Sequence, residues 1–139
     1  MNITLPKRFE MEFRDYPFVY NDNWISNGHF MVKKQVVKDS FKYCSLDEGA
    51  QVDCDRIFPT EIDGEWIKTD TLYDNGSLGY LRVFKHLKLN KTICFKEDYI
   101  KHFDIQSVRG HSYELNSAYV SDNGNVVLMP CRNFHTDLV

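Results

Sequence analysis

Alanine is almost missing from this chain. Of 139 residues only Ala50 and Ala118 are alanine, so few stretches have the makings of a strong helix. Four prolines and seven glycines are too few for a low-complexity chain. No apolar run approaches the roughly 20 residues of a membrane span. The opening residues MNITLPKRFEMEF lack the apolar stretch of a secretory signal, which predicts that none is present. The cysteines Cys44, Cys54, Cys94 and Cys131 form no CxxC pair and are expected to be reduced thiols in a cytoplasmic protein. A large charge of one sign is missing too. A formal net charge of −3 does not indicate a protein held on duplex DNA by its overall field, although it leaves a local basic face such as Lys85, Lys88 and Lys91 compatible with DNA contact. It is also too small for an acidic DNA mimic.

What the chain does have is apolar and aromatic mass. Apolar residues make up 42% and aromatics 14%, enough for a packed core and weighted toward strands. The expected fold is α+β: one domain over residues 1–139 with a loose tail at 133–139, a mostly antiparallel sheet of about eight strands, and one or two short helices. Phe9, Met11 and Phe13 alternate with charged residues, which predicts a half-buried strand over 7–13. Trp24–Ile25 and a strand from His29 flank the turn Ser26-Asn27-Gly28. Lys33 to Cys44 carries a weak helical period, and Asp63-Gly64 reads as a hairpin signal. Strands at 66–72 and 79–86 flank Asp74-Asn75-Gly76, and Thr92–Phe95 is a β-branched and aromatic strand. Tyr99, Ile100 and Phe103 mark a short amphipathic helix. Residues 106–111 read as a loop and 113–120 as a strand. The chain then closes with the hairpin YVSDNGNVVLMPCR, in which Pro130 ends the pairing.

Catalytic signatures are sparse. The five histidines show no HxxxH or HxH, so no metal site is expected. Asp53, Asp55, Asp63, Glu65 and Lys68 are the residues a metal-dependent nuclease would have to use, but Glu65 and Lys68, three apart, fall on opposite faces of a strand. Cys94 sits in an apolar strand, where it reads as a small buried hydrophobe rather than an activated thiol. There is no Gly-rich phosphate loop, no GxSxG elbow and no EF-hand frame. No cofactor is called for.

Three stretches resemble the domains of bacterial DNA sliding clamps, the processivity factors of replicative polymerases. ISNGHFMV (residues 25–32) resembles their ATDGHRLA-type strand and turn. ICFKEDYIKHFDI (93–105) resembles their strand followed by a short tyrosine-bearing helix. AYVSDNGNVVLMPCR (118–132) resembles their last strand, which ends in MPMR. IFPTEIDGEW (57–66) is a fainter likeness of their FPDY connection. In clamps the GH turn of one domain and the MPMR end of another line a hydrophobic groove for short partner peptides. The resemblance therefore implies a groove with Gly28, His29, Phe30 and Met31 on one wall and Met129, Pro130 and Arg132 on the other. Phe30 stands where clamps have arginine, and Cys131 where they have the second methionine.

The expected function is thus a non-enzymatic, clamp-like binding protein of phage or mobile-element type that binds or imitates replication machinery. The alternative is a small phage-type inhibitor of a host enzyme or defence nuclease, acting by protein contact. The residual enzyme reading is a metal-dependent hydrolase. All three place the partner in solution rather than in a membrane, and edge strands would permit an oligomer.

Overall fold

The structure is a computed structural model. It describes residues 3–9, 18–20, 23–38, 44–46, 57–59, 62–76, 79–113 and 117–131. The fold is α+β, built mostly from antiparallel strands, with one α-helix among the described residues. The chain divides into two compact units, Met1–Ile57 and Phe58–Val139.

In the first unit the strands are short: β1 (Phe18–Tyr20), β2 (Trp24–Ser26), β3 (Phe30–Lys33) and β4 (Cys44–Leu46). Their order is β4-β1-β2-β3. β1 and β4 pair parallel, while the β1–β2 and β2–β3 pairs are antiparallel. The expected strand over 7–13 is not formed in its described part. Lys7–Phe9 is a 3-10 turn instead, closed by Phe9 N–H donating to the carbonyl of Pro6 at 3.0 Å. Proline fixes the φ that such a turn needs, and Phe9 turns inward against Phe30 with ring centroids 5.7 Å apart. Residues 10–13 lie outside the described set. The helical period after Lys33 yields only a 3-10 turn at Lys34–Val36. Val37 then runs parallel to Ile3, with Ile3 N–H donating to the Val36 carbonyl at 2.7 Å.

The second unit holds β5 (Gly64–Asp74), β6 (Tyr80–His86), β7 (Thr92–Lys96), α1 (Glu97–His102), β8 (Ser107–Gly110), β9 (Tyr119–Ser121) and β10 (Val126–Leu128). The strand order is β10-β9-β8-β5-β6-β7, antiparallel throughout. Three expectations change here. Gly64 opens the long β5 strand and pairs with Gly110 instead of turning a hairpin. The segment expected to loop, 106–111, contains β8, recruited by β5. Of the strand expected over 113–120, β9 takes in Tyr119 and Val120, Tyr113 and 117–118 are outside it, and residues 114–116 lie outside the described set.

This sheet is strongly curled. β8, β5 and β6 lie between β9 and β7, which would be roughly 19 Å apart in a flat sheet. Yet Tyr119 on β9 and Phe95 on β7 have ring centroids 5.7 Å apart. The chain leaving β10 also reaches the far edge, where Cys131 N–H donates to the Cys94 carbonyl on β7 at 2.9 Å. The interior is an aromatic series in edge-to-face contact: His86–Trp66, Trp66–Tyr119, Tyr119–Phe95 and Phe95–Phe84. That is the geometry favoured by ring quadrupoles.

α1 starts directly from β7. Glu97 and Asp98 occupy its first turn and Lys101 and His102 its last, each sign at the end where the helix dipole favours it. Tyr99, Ile100, Phe103 and Ile105 are buried. A register shift interrupts the β5–β6 ladder between Lys68 and Leu72. Side chains supply the missing bonds: Thr69 Oγ1 donates to the Val83 carbonyl at 2.8 Å, and Arg82 Nη1 donates to the Thr69 carbonyl at 3.1 Å. Arg82 also forms an ion pair with Glu97, tying α1 to β6.

Candidate functional site

The β2–β3 turn is built almost entirely from its own side chains. Asn27, buried, accepts through Oδ1 from the N–H of His29 at 2.9 Å and of Phe30 at 3.1 Å. Its Nδ2 donates to the Phe9 carbonyl at 2.8 Å. Ser26 Oγ accepts from Gly28 N–H at 3.0 Å and donates to the Phe30 carbonyl at 2.8 Å. Gly28 has φ of 92°, a left-handed conformation that costs glycine little. The result is a fixed loop with Gly28 and His29 exposed at its tip.

Of the residues that the clamp resemblance picks out, Phe30 and Met31 are buried and belong to the core, so the surface of this segment is Gly28 and His29. These four lie in the first unit. Met129 and Pro130 follow β10 in the second unit and are half-buried. Arg132 lies outside the described residues.

A second constellation was not legible in the sequence. His86, at the end of β6, has Nε2 2.9 Å from Ser112 Oγ. Asp63 Oδ1 accepts the Ser112 backbone N–H at 3.0 Å. Serine, histidine and aspartate thus meet as they would in a hydrolase, but the wiring differs. His86 Nδ1 accepts from Lys88 N–H at 3.0 Å and from Leu89 N–H at 2.9 Å. A nitrogen that accepts two N–H groups carries no proton, so in the neutral ring the proton sits on Nε2 and is donated to Ser112. A general base needs the reverse, an unprotonated nitrogen facing the hydroxyl. Asp63, for its part, holds backbone and not imidazole. The constellation is therefore a clamp on the chain: it fixes the β6–β7 turn and the segment after β8 to one another. Burial pushes the His86 pKa below its usual value, helped by Lys91 and Lys88 and opposed by Asp63, so the neutral form that this wiring needs is the favoured one.

The glycine pair Gly64 and Gly110 makes room for this arrangement. A Cβ on Gly64 would lie 2.4 Å from Ser112 Oγ and 3.1 Å from His86 Nε2. One on Gly110 would meet the Tyr119 ring at 2.4 Å, and Tyr119 donates its hydroxyl proton to the His111 carbonyl at 3.0 Å. Trp66, fully buried beside His86, has no hydrogen-bond partner for its indole N–H among the described residues. The Asp63-Gly64 dipeptide was the one local signal of the site. His86 and Ser112 are far apart in sequence and share no motif.

Cys94 and Cys131 are also neighbours. Burial and the adjacent Cys131 push the Cys94 thiol up to about 12, and burial raises Cys131 as well. Thiols so disposed are poor nucleophiles. Among the described residues no group of three or more His, Cys, Asp or Glu side chains is placed to hold a metal ion, and no helix is long and apolar enough to cross a membrane. Comparison with protein families, curated proteins and solved structures finds no match to this chain.

Proposed function

We propose that the protein is a non-enzymatic binding protein of the cytoplasm, with the sliding-clamp-like character implied by its sequence resemblance, and that it binds or imitates a component of replication machinery. The observation that supports this reading is the β2–β3 turn. Asn27 and Ser26 satisfy its backbone groups from within, and what they present to solvent is Gly28 and His29. A loop ordered before it meets a partner loses little conformational entropy on binding. The wiring of His86 and Ser112 supports that reading at this one contact, since the imidazole nitrogen facing the serine is the one that carries the proton.

The test is affinity capture of the tagged protein from host lysate, read by mass spectrometry beside His29→Ala and Met129→Ala variants whose circular dichroism matches the parent. Recovery of polymerase or other replication subunits, lost with His29→Ala, supports the reading. Met129→Ala tests the strand end separately. Recovery of a defence nuclease that is indifferent to both substitutions favours the inhibitor instead. Replication subunits retained by both variants would remove the turn from the account.

A further inference from the structure

Two of the most exposed large apolar side chains, Tyr113 at 65% and Leu87 at 58%, lie at the same end of the second unit, next to the His86 clamp. Exposure of this kind usually goes with loose loops, but here the backbone is fixed. His86 N–H donates to the Lys91 carbonyl at 2.9 Å, closing the β6–β7 turn, and Leu87 N–H donates to the Glu65 carbonyl at 2.8 Å. His86 Nδ1 takes the next two N–H groups. On the other side, Ser112 is bonded to His86, which places Tyr113 beside the turn, and the Lys91 ammonium rests 4.3 Å from the centre of the Tyr113 ring.

The β6–β7 turn that carries Leu87 is positively charged. The stretch KHLKLNKT, residues 85–92, carries Lys85, Lys88 and Lys91 and no acidic residue. Two described carboxylates, Asp63 and Glu65, lie on the neighbouring β5 side, and Glu114 follows Tyr113 in the sequence. Asp63 is engaged by the Ser112 N–H, and Glu65 stands opposite Arg109 in the ladder.

We infer that this end of the second unit, formed by Leu87, Lys88, Lys91 and Tyr113, is a docking surface for an acidic peptide segment with an apolar anchor. Leu87 and Tyr113 offer apolar contact area, and the lysines attract and orient a negative segment. Fixed backbone lowers the ordering cost of engagement. A peptide fits better than single-stranded nucleic acid. Nucleic-acid platforms stack bases on open aromatic faces, whereas Lys91 already occupies one face of the Tyr113 ring and Leu87 has no face to stack on. This surface shares no residue with the β2–β3 turn, so failure of either reading leaves the other standing.

The experiment is selection of a phage-displayed random-peptide library on the full-length protein. Enriched peptides are then synthesised and their affinities measured for the parent, for Leu87→Ser with Tyr113→Ala, and for Lys88→Glu with Lys91→Glu. The enriched sequences should combine Asp or Glu with Leu, Phe or Trp. Each double variant should weaken binding roughly tenfold or more, and added salt should weaken it for the parent. Circular dichroism and thermal melts confirm that the variants stay folded; Leu87, Lys88 and Tyr113 are exposed and Lys91 half-buried. The inference fails if nothing enriches, if the enriched peptides show no acidic bias, or if both variants bind like the parent. It also fails if an oligothymidylate binds more tightly than every selected peptide and loses binding in the same variants.

Discussion

At neutral pH the His86 ring has two backbone N–H groups aimed at Nδ1 and a serine hydroxyl at Nε2. Protonation puts a hydrogen on Nδ1, where the two N–H groups already point, and brings a cation next to Lys88 and Lys91. The folded-state pKa is accordingly lowered from its usual 6.5. A histidine depressed in this way contributes stability that is fully present above its unfolded value and lost as pH falls through the folded one. Its share therefore begins to decline near pH 6.5, at up to about 1.4 kcal/mol per pH unit. Urea unfolding of the parent from pH 7.5 down to pH 5 should show this decline. His86→Gln, which keeps an uncharged hydrogen-bonding group and removes the titration, should show a shallower one. Identical slopes would mean that His86 does not carry the pH dependence.

Among the elements, the unusual junction is between the end of β10 and β7, where one N–H from Cys131 meets the Cys94 carbonyl. Cys131→Pro removes that donor, whereas Cys131→Ala keeps it. The proline variant should be less stable than the alanine variant by about 1 kcal/mol, measured by urea midpoint, and the Cys131 amide in the parent should exchange slowly with deuterium. Fast exchange would show that the junction is not closed in solution. The elements that were legible in sequence share a physical trait: each carries its own local signal. Asp74-Asn75-Gly76 between two long apolar strands announced the β5–β6 hairpin, and Tyr99, Ile100 and Phe103 announced α1. β8 had no such signal, because Ser107–Gly110 has a single large apolar residue, Val108, and is a strand only because β5 pairs with it. The alternation at 7–13 misled, for a related reason, in its described part, Lys7–Phe9. Local pattern favoured a strand, while Pro6 and the burial of Phe9 against Phe30 favoured a 3-10 turn. The His86–Ser112 contact depends on three separate segments meeting, which no spacing rule within one segment describes.

For the whole molecule, the division into two units has a convenient reporter in each. Trp24 in the first and Trp66 in the second are both buried. The first unit relies on strands of three or four residues, whereas the second curls its sheet around an aromatic interior. In urea, Trp66 emission, followed in Trp24→Phe, should therefore change at higher denaturant than Trp24 emission, followed in Trp66→Phe. Coincident transitions would show that the units unfold together.

The contact between Trp66 and His86, with ring centroids 4.8 Å apart, also has an optical consequence. A protonated imidazole accepts an electron from an excited indole and darkens it, whereas a neutral one leaves it bright. In the Trp24→Phe protein the remaining fluorescence is thus a gauge of one proton on one ring. As acid is added, the light dims when His86 takes up its charge, and the half-way point gives the folded-state pKa without unfolding the chain.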